Sequence, residues 1–131
     1  ITDVKATFAI PVQANQLLLL DAVAGFVSTL PIATGSGNVV EVQVKTTLTS
    51  GAYEVSVTSG DSLAGTIVAS KGTTPTPYQA TQGTTVNVTL TNAAVGAGIK
   101  GDYLCFTDVA ANVWEVQGNT WVTGTVATPF S

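Results

Sequence analysis

The sequence predicts an all-β fold, and three of its features support that prediction. Apolar and polar residues alternate with a period of two along several short runs, which is typical of strands with one buried face. The spacing of an amphipathic helix nowhere persists for more than about one turn. Glycine, proline and asparagine separate the runs, as turn residues would. We therefore expect an antiparallel β-sandwich or barrel, jelly-roll-like, with about eight to ten short strands.

The chain length fits one domain. It has 131 residues, enough to bury a continuous core without disulfides or metal. The sequence has no internal repeat and no sign of a second domain. Residues 1–131 are therefore predicted to form a single β domain, in which the less regular residues 1–25 serve as an N-terminal arm or interface segment.

Two alternating runs in the middle of the chain predict an antiparallel hairpin. A turn at Ser50 and Gly51 separates them. Each run places a set of large side chains on one face, which we expect to be buried: Val40, Val42 and Val44 in the first, and Tyr53, Val55 and Val57 in the second.

Strands are also predicted nearer the C-terminal end. Two of them direct their larger apolar side chains inward: Val86, Val88 and Leu90 in one, and Leu104 and Phe106 in the next. Cys105 is expected to be a small buried residue of a strand. Gly118 and Asn119 are typical of a two-residue hairpin turn, which would bring Trp114 and Trp121 together across a ladder.

Two segments are candidates for contacts with partners. Residues 17–20 are all leucine, so a strand there has no polar face and must be covered on both sides. We predict that Leu17, Leu18, Leu19 and Leu20 pack at a subunit interface. Residues 70–83 contain two prolines and are predicted to form a long surface loop, with Tyr78 as its exposed contact residue.

Several short motifs are interpreted as turns. In the TGSG motif at residues 34–37 no helix follows the glycines, so the motif is expected to be a hairpin or intersheet turn instead of a phosphate site. Asp61 and Asp102 each follow a glycine. Their carboxylates are expected to accept hydrogen bonds from nearby backbone amides.

Composition argues against catalysis. The chain has no histidine, and its eight carboxylates are scattered singly along the sequence. The single cysteine has no partner with which to bind zinc. We therefore expect no enzymatic activity, no cofactor and no metal.

Charge and hydropathy narrow the range of partners. Four lysines, no arginine and a net charge of -4 make nucleic acid an unsuitable partner. No apolar run reaches the roughly 20 residues of a membrane helix. The charged fraction of 9% leaves a neutral surface with little repulsion between copies.

Three stretches resemble a β-rich module of tailed-phage virion proteins, especially head decoration (cement) proteins and fibre-associated domains. They are FVSTLPIATGSGNVVEVQV, YEVSVTSGDSLAGTIV and KGDYLCFTDVAANVWEVQGNTWVTGTVATPFS, and the resemblance spans Phe26 to Ser131. Its motifs are a strand ending in Leu30-Pro31, a glycine turn, two Gly-Asp pairs and Trp114-x-Val116-x-Gly118. They are turn and core residues, and none is catalytic.

The resemblance implies a structural protein on the capsid surface of a virion, bound to the major capsid protein and to copies of itself as a homo-oligomer. Two alternatives stay open. One is a carbohydrate-binding or adhesive surface module in which Tyr78 and one tryptophan stack on sugar. The other is a pilus or surface-layer subunit, which would be extracellular.

Overall fold

The computed structural model describes residues 1–91 and 98–131, which form eleven strands and no helix. The strands are β1 (Thr2–Val4), β2 (Phe8–Ala9), β3 (Gln16–Leu20), β4 (Gly25–Thr29), β5 (Val39–Val44), β6 (Ala52–Ser56), β7 (Ser62–Lys71), β8 (Thr74–Ala80), β9 (Asn87–Thr91), β10 (Tyr103–Ala110) and β11 (Val113–Trp121). The described ranges therefore contain no helix that could cross a membrane. The all-β prediction is confirmed.

The strands form a large sheet and a small sheet. The large sheet has seven strands in the order β1-β3-β5-β10-β11-β7-β8, and the small sheet has four in the order β2-β4-β6-β9. Antiparallel pairing was predicted throughout, but both sheets are mixed. The β1-β3, β3-β5, β7-β11, β2-β4 and β4-β6 pairs are parallel.

Four of these parallel pairs, all except β7-β11, arise because the first six strands alternate between the sheets. The odd-numbered strands enter the large sheet and the even-numbered strands the small one, so each crossing returns the chain beside an earlier strand in the same direction. The predicted hairpin of β5 and β6 is therefore wrong. Both strands bury the expected faces, but they lie in different sheets, and β6 pairs with β4 and β9 instead.

The two sheets share one hydrophobic core. It contains most of the side chains predicted to point inward: Val40, Val42, Val44, Tyr53, Val55, Val88, Leu90, Leu104 and Phe106. Val57 is half-buried at its margin. Val86 precedes β9 and is 41% exposed, so its predicted burial is wrong. Cys105 was also expected inside, but it is half-buried and alternates with the core residues of β10.

Tyr53 ties the small sheet to the large one. Its ring contacts Phe26 edge-on, with the ring centroids 5.2 Å apart. Its hydroxyl oxygen accepts a 2.9 Å hydrogen bond from the Ala22 amide and lies 3.0 Å from the carbonyl oxygen of Thr46. The phenol thus provides hydrogen-bond partners for backbone groups that lie just after β3 and β5, where the backbone pairing of the sheets has ended.

The predicted hairpin at Gly118 is wrong as well, because β11 runs without a break from Val113 to Trp121. Trp114 is buried, whereas Trp121 is 55% exposed, so the two rings do not pair. A Cβ at Gly118 would lie 2.5 Å from the carbonyl oxygen of Tyr103. Gly118 therefore allows close contact within the sheet and does not form a turn.

Residues 70–83 are not the predicted long loop. Their first part belongs to a β7-β8 hairpin, in which Lys71 pairs with Thr74 across a tight turn. Pro75 and Pro77 lie in β8, the edge strand of the large sheet, and edge strands tolerate residues that lack an N–H group. These two prolines were interpreted as evidence for a loop, but in the structure they lie in an edge strand.

Residues 1–25 are built into both sheets. They supply β1 and β3 to the large sheet and β2 to the small one. Their role as an interface segment stays a prediction.

Substitution of Gly65 tests the close packing of β7 and β11. Its φ is +111°, and a Cβ there would lie 2.0 Å from the backbone oxygen of Val116. We expect Gly65→Ala to lower the free energy of unfolding by about 3 kcal/mol or more, measured by urea denaturation.

Gly60→Ala is the matched control. Gly60 has a φ of +97°, but a Cβ there would meet nothing within 4 Å, so only backbone strain of about 1–2 kcal/mol is expected. Equal losses in the two variants would contradict the packing assigned to Gly65.

Candidate functional site

The outward face of β3 is the candidate contact surface. Leu18 and Leu20 are each 1% exposed and belong to the core, whereas Leu17 and Leu19 alternate with them and are half-buried on the opposite face. The predicted strand is confirmed, while cover of its outward face stays a prediction. Its use as a subunit interface stays a prediction, and only Leu17 and Leu19 are placed to make such a contact.

Leu19 lies at an open depression of about 400 Å³. The lining residues come from β3, from β5 and the residue after it, and from the turn before β10: Leu19, Gln43, Val44, Lys45, Lys100 and Gly101. The depression therefore combines an apolar side with two lysines. Such a surface can receive an apolar side chain together with a carboxylate.

The two lysines at the depression differ in their partners. The Nζ atom of Lys45 lies 2.5 Å from Asp3 Oδ2 and 3.1 Å from Asp21 Oδ2. Hydrogen bonds to Asp3 and Asp21 raise the pKa of Lys45, and hydrogen bonds from Thr46 and Lys45 lower the pKa of Asp21. The side chain of Lys100 makes no ion pair or hydrogen bond within the described residues. Lys100 is therefore the cation that a partner can engage.

A hydrogen-bonded tyrosine–glutamate pair lies at the centre of the same outer face. The Tyr103 hydroxyl donates a hydrogen bond to Glu41 Oε1 at 2.5 Å. That bond, together with burial, raises the pKa of Tyr103 above its usual range. Because its pKa is raised, the phenol stays protonated near neutral pH and keeps its hydrogen bond to Glu41.

A loop of residues 30–38 crosses from β4 in the small sheet to β5 in the large sheet and wraps around the Asp108 carboxylate. The amides of Thr34, Gly35 and Ser36 donate to its oxygens at 2.7–3.1 Å. The Ser36 hydroxyl adds a 2.6 Å hydrogen bond. The TGSG motif is thus the predicted intersheet turn, and its successive amides form an anion-binding nest that an internal carboxylate occupies.

The loop stabilises the charged form of Asp108. Burial alone would raise the pKa of this 2% exposed carboxyl, but the hydrogen bonds from Ser36, Gly35 and Thr34 together lower it to about 2. No sequence pattern predicts this pairing, because Asp108 is separated from the loop by more than 70 residues.

Further contacts hold the first half of the same loop. The amide of Ala33 donates to Asp61 Oδ2 at 2.8 Å, and Trp114 Nε1 donates to the Pro31 carbonyl oxygen at 3.0 Å. Asp61 does lie in a turn, since its amide donates to the Thr58 carbonyl oxygen. However, its carboxylate binds a residue of a distant loop, not the nearby amides that were predicted.

Asp102 fits its prediction more closely. Its carboxylate accepts hydrogen bonds from the nearby amides of Gly98 and Ile99 and from the distant amide of Trp121, at 2.8–3.0 Å. Burial raises the pKa of Asp102, and the three amides oppose that rise. This carboxylate ties the turn before β10 to the end of β11.

The remaining predicted contact residue is less available than expected. Tyr78 is half-buried in β8, paired with the core residue Ile67 of β7. Trp121 is the exposed large aromatic instead.

Within residues 1–91 and 98–131, no group of three acidic, cysteine or histidine side chains lies close enough to bind a metal. Comparison with protein-family models, curated proteins and solved structures finds no match.

Acid titration tests the Asp108 nest. Because its pKa is lowered in the folded state, the carboxylate stabilises the fold above the usual aspartate pKa near 4, and this contribution is lost as the pH falls to about 2. We expect wild type to lose on the order of 2 kcal/mol relative to Asp108→Asn between pH 4 and pH 2, by urea denaturation.

Asp102→Asn provides a contrast of opposite sign. A raised folded pKa means that the contribution of Asp102 falls as the pH rises from about 4. Wild type should therefore lose stability relative to Asp102→Asn with rising pH. Parallel pH profiles for wild type and Asp108→Asn would contradict the account of the nest.

Ser36 is expected to contribute directly to the nest. Ser36→Ala removes the 2.6 Å hydroxyl bond to Asp108, so it should cost about 1–2 kcal/mol at pH 7 and raise the Asp108 pKa in an NMR titration. Ser59→Ala, at an exposed serine in the loop before β7, should change stability by less than about 0.5 kcal/mol. An unchanged Asp108 pKa in Ser36→Ala would count against the assignment.

Proposed function

We propose that this chain is a non-enzymatic structural virion protein that decorates a phage capsid and stabilises it through contacts between subunits. The observation that carries the proposal is the outward face of β3. Leu17 and Leu19 lie there half-buried, on a strand whose other face is already filled by the core. We take these two outward leucines, which no part of the described structure covers fully, as the part of the surface that another protein buries. The resemblance in sequence supports a capsid as that partner.

The depression at Leu19 suggests how the contact is made. A subunit of the shell would cover Leu17 and Leu19 with apolar side chains and place a carboxylate near Lys100. Apolar burial supplies most of the affinity in such contacts, and the charge pair fixes the orientation. The major capsid protein is the proposed partner.

Self-association is also part of the proposal. The low fraction of charged residues leaves little repulsion between copies. We take the two sheets, which share a core, to form a β-sandwich that presents the large sheet to its partners. The proposed location is the capsid surface of the virion, without nucleic acid, membrane or cofactor as a partner.

Copy number in purified particles tests the proposal. Virions from cells that produce the chain should contain it in a fixed integer ratio to the major capsid protein, measured by quantitative mass spectrometry. Particles purified to constant composition without the chain would overturn the proposal.

Variants of β3 test which surface meets the shell. We expect Leu17→Gln combined with Leu19→Gln to reduce particle binding at least about tenfold, equivalent to 1.4 kcal/mol or more, in a cosedimentation assay. The melting temperature should stay within a few degrees of wild type, because both side chains point away from the core.

Val27→Gln is the matched control, since Val27 is half-buried on β4 in the small sheet. Its particle binding should equal that of wild type. Leu18 is unsuitable for this test, because its substitution would disrupt the core. Equal binding by the β3 variant and the control would show that the shell contact lies elsewhere.

A carbohydrate-binding or adhesive module is the second candidate function, favoured by the exposure of Trp121. Aromatic side chains in carbohydrate sites stack on sugar rings. Glycan-array binding that Trp121→Ala abolishes would support this function. No binding to the array and unchanged tryptophan fluorescence would exclude Trp121 as a sugar platform.

A further inference from the structure

The outer edge of β9 is paired with residues 128–131, here called the edge segment. Four backbone hydrogen bonds join them: Val86 and Asn87 donate to Ser131, Thr89 donates to Pro129, and Ser131 donates to Asn87. Val88 and Phe130 face each other as an antiparallel bridge. The edge segment thus acts as a short added strand on the small sheet.

The edge segment is anchored by packing as well as by hydrogen bonds. Pro129 is buried, and the half-buried Phe130 ring packs against the shared core. The segment therefore covers both the backbone and the apolar margin of β9. Its removal would leave an unpaired strand beside an open apolar groove.

The connection to the edge segment is held only at its ends. The Val122 amide donates to the Ser70 carbonyl oxygen, and the next hydrogen bond of the chain is made at Thr128. Residues 123–127, which include Gly124, make none in the described structure. Five residues can extend over roughly 17 Å. A linker of this kind can act as a hinge.

The other sheet edges are poorly suited to pairing between copies. The outward edge of β8 lacks two N–H donors at Pro75 and Pro77, and β1 and β2 have only three and two residues. The edge of β9 has five residues and no proline. Backbone pairing between copies is therefore best supported at β9.

We propose that copies of this chain associate by exchanging the edge segment, so that residues 128–131 of one copy pair with β9 of another and Phe130 fills the groove of that neighbour. The exchanged contacts are those that the structure already shows within one chain, so a second copy fits without new complementarity. The inference rests on the self-association part of the proposed function and specifies its mechanism.

Disulfide trapping tests the exchange. Asn87 and Ser131 exchange two backbone hydrogen bonds, and Cα atoms of such pairs lie about 5.5 Å apart, within disulfide range. In a Cys105→Ser background, Asn87→Cys and Ser131→Cys would be made as separate chains, mixed unfolded, refolded together and oxidised. Exchange predicts a disulfide-linked heterodimer at twice the 13.3 kDa chain mass, identified by mass spectrometry.

Two controls make every outcome decisive. Asn87→Cys mixed with Thr73→Cys, in the exposed β7-β8 turn, should give only random cross-linking. The double variant with both Asn87→Cys and Ser131→Cys shows whether the pair can oxidise. Intrachain disulfides in the double variant without heterodimers in the mixture would overturn the exchange, and absence of both would overturn the pairing itself.

Sedimentation of the wild-type chain separates the two proposals. Oligomers without heterodimer cross-links would mean that copies associate through another surface, which leaves the decoration role intact. Monomers at every concentration would overturn both exchange and self-association, and the copy number in particles would still decide the virion role.

Discussion

The fold depends on buried carboxylates that bind backbone amides where the chain passes between sheets. A chain that alternates between two sheets must cross the core margin repeatedly, and at each crossing its amides leave the ladder. Asp108 and Asp61 accept hydrogen bonds from four successive residues of the loop 30–38. Charged acceptors make stronger hydrogen bonds than neutral ones, and each of these bonds satisfies an amide that would otherwise be costly to bury.

The repeated crossing between sheets explains which features of the fold could be predicted from the sequence and which could not. The alternation of apolar and polar residues correctly identified the buried faces of β5, β6 and β10, because successive side chains of any strand point to opposite faces. It could not distinguish a hairpin from a crossing between sheets, since both need a turn and both bury alternate residues. The β5-β6 hairpin was wrong for that reason. Asp108 and its nest were missed because only the folded chain brings them together.

The candidate contact surface was partly predictable. Four consecutive leucines required cover on both faces, and the structure separates them into two core residues and two outward ones. The position of Lys100 beside Leu19 depends on the turn before β10, which Asp102 organises. Acidic residues that form no catalytic pattern in the sequence thus accept hydrogen bonds from the backbone amides of turns. By fixing those turns, they determine which side chains lie together on the surface.

The most direct test of this account is amide hydrogen exchange in residues 33–36 at neutral pH, measured by NMR in wild type and Asp108→Asn. The amides of Thr34, Gly35 and Ser36 should be protected from exchange in wild type, because they donate to the Asp108 carboxylate. In the variant they should exchange much faster, while Phe106 in the centre of β10 stays protected. Unprotected loop amides in wild type, or equal protection in both proteins, would contradict the claim that Asp108 holds the crossing.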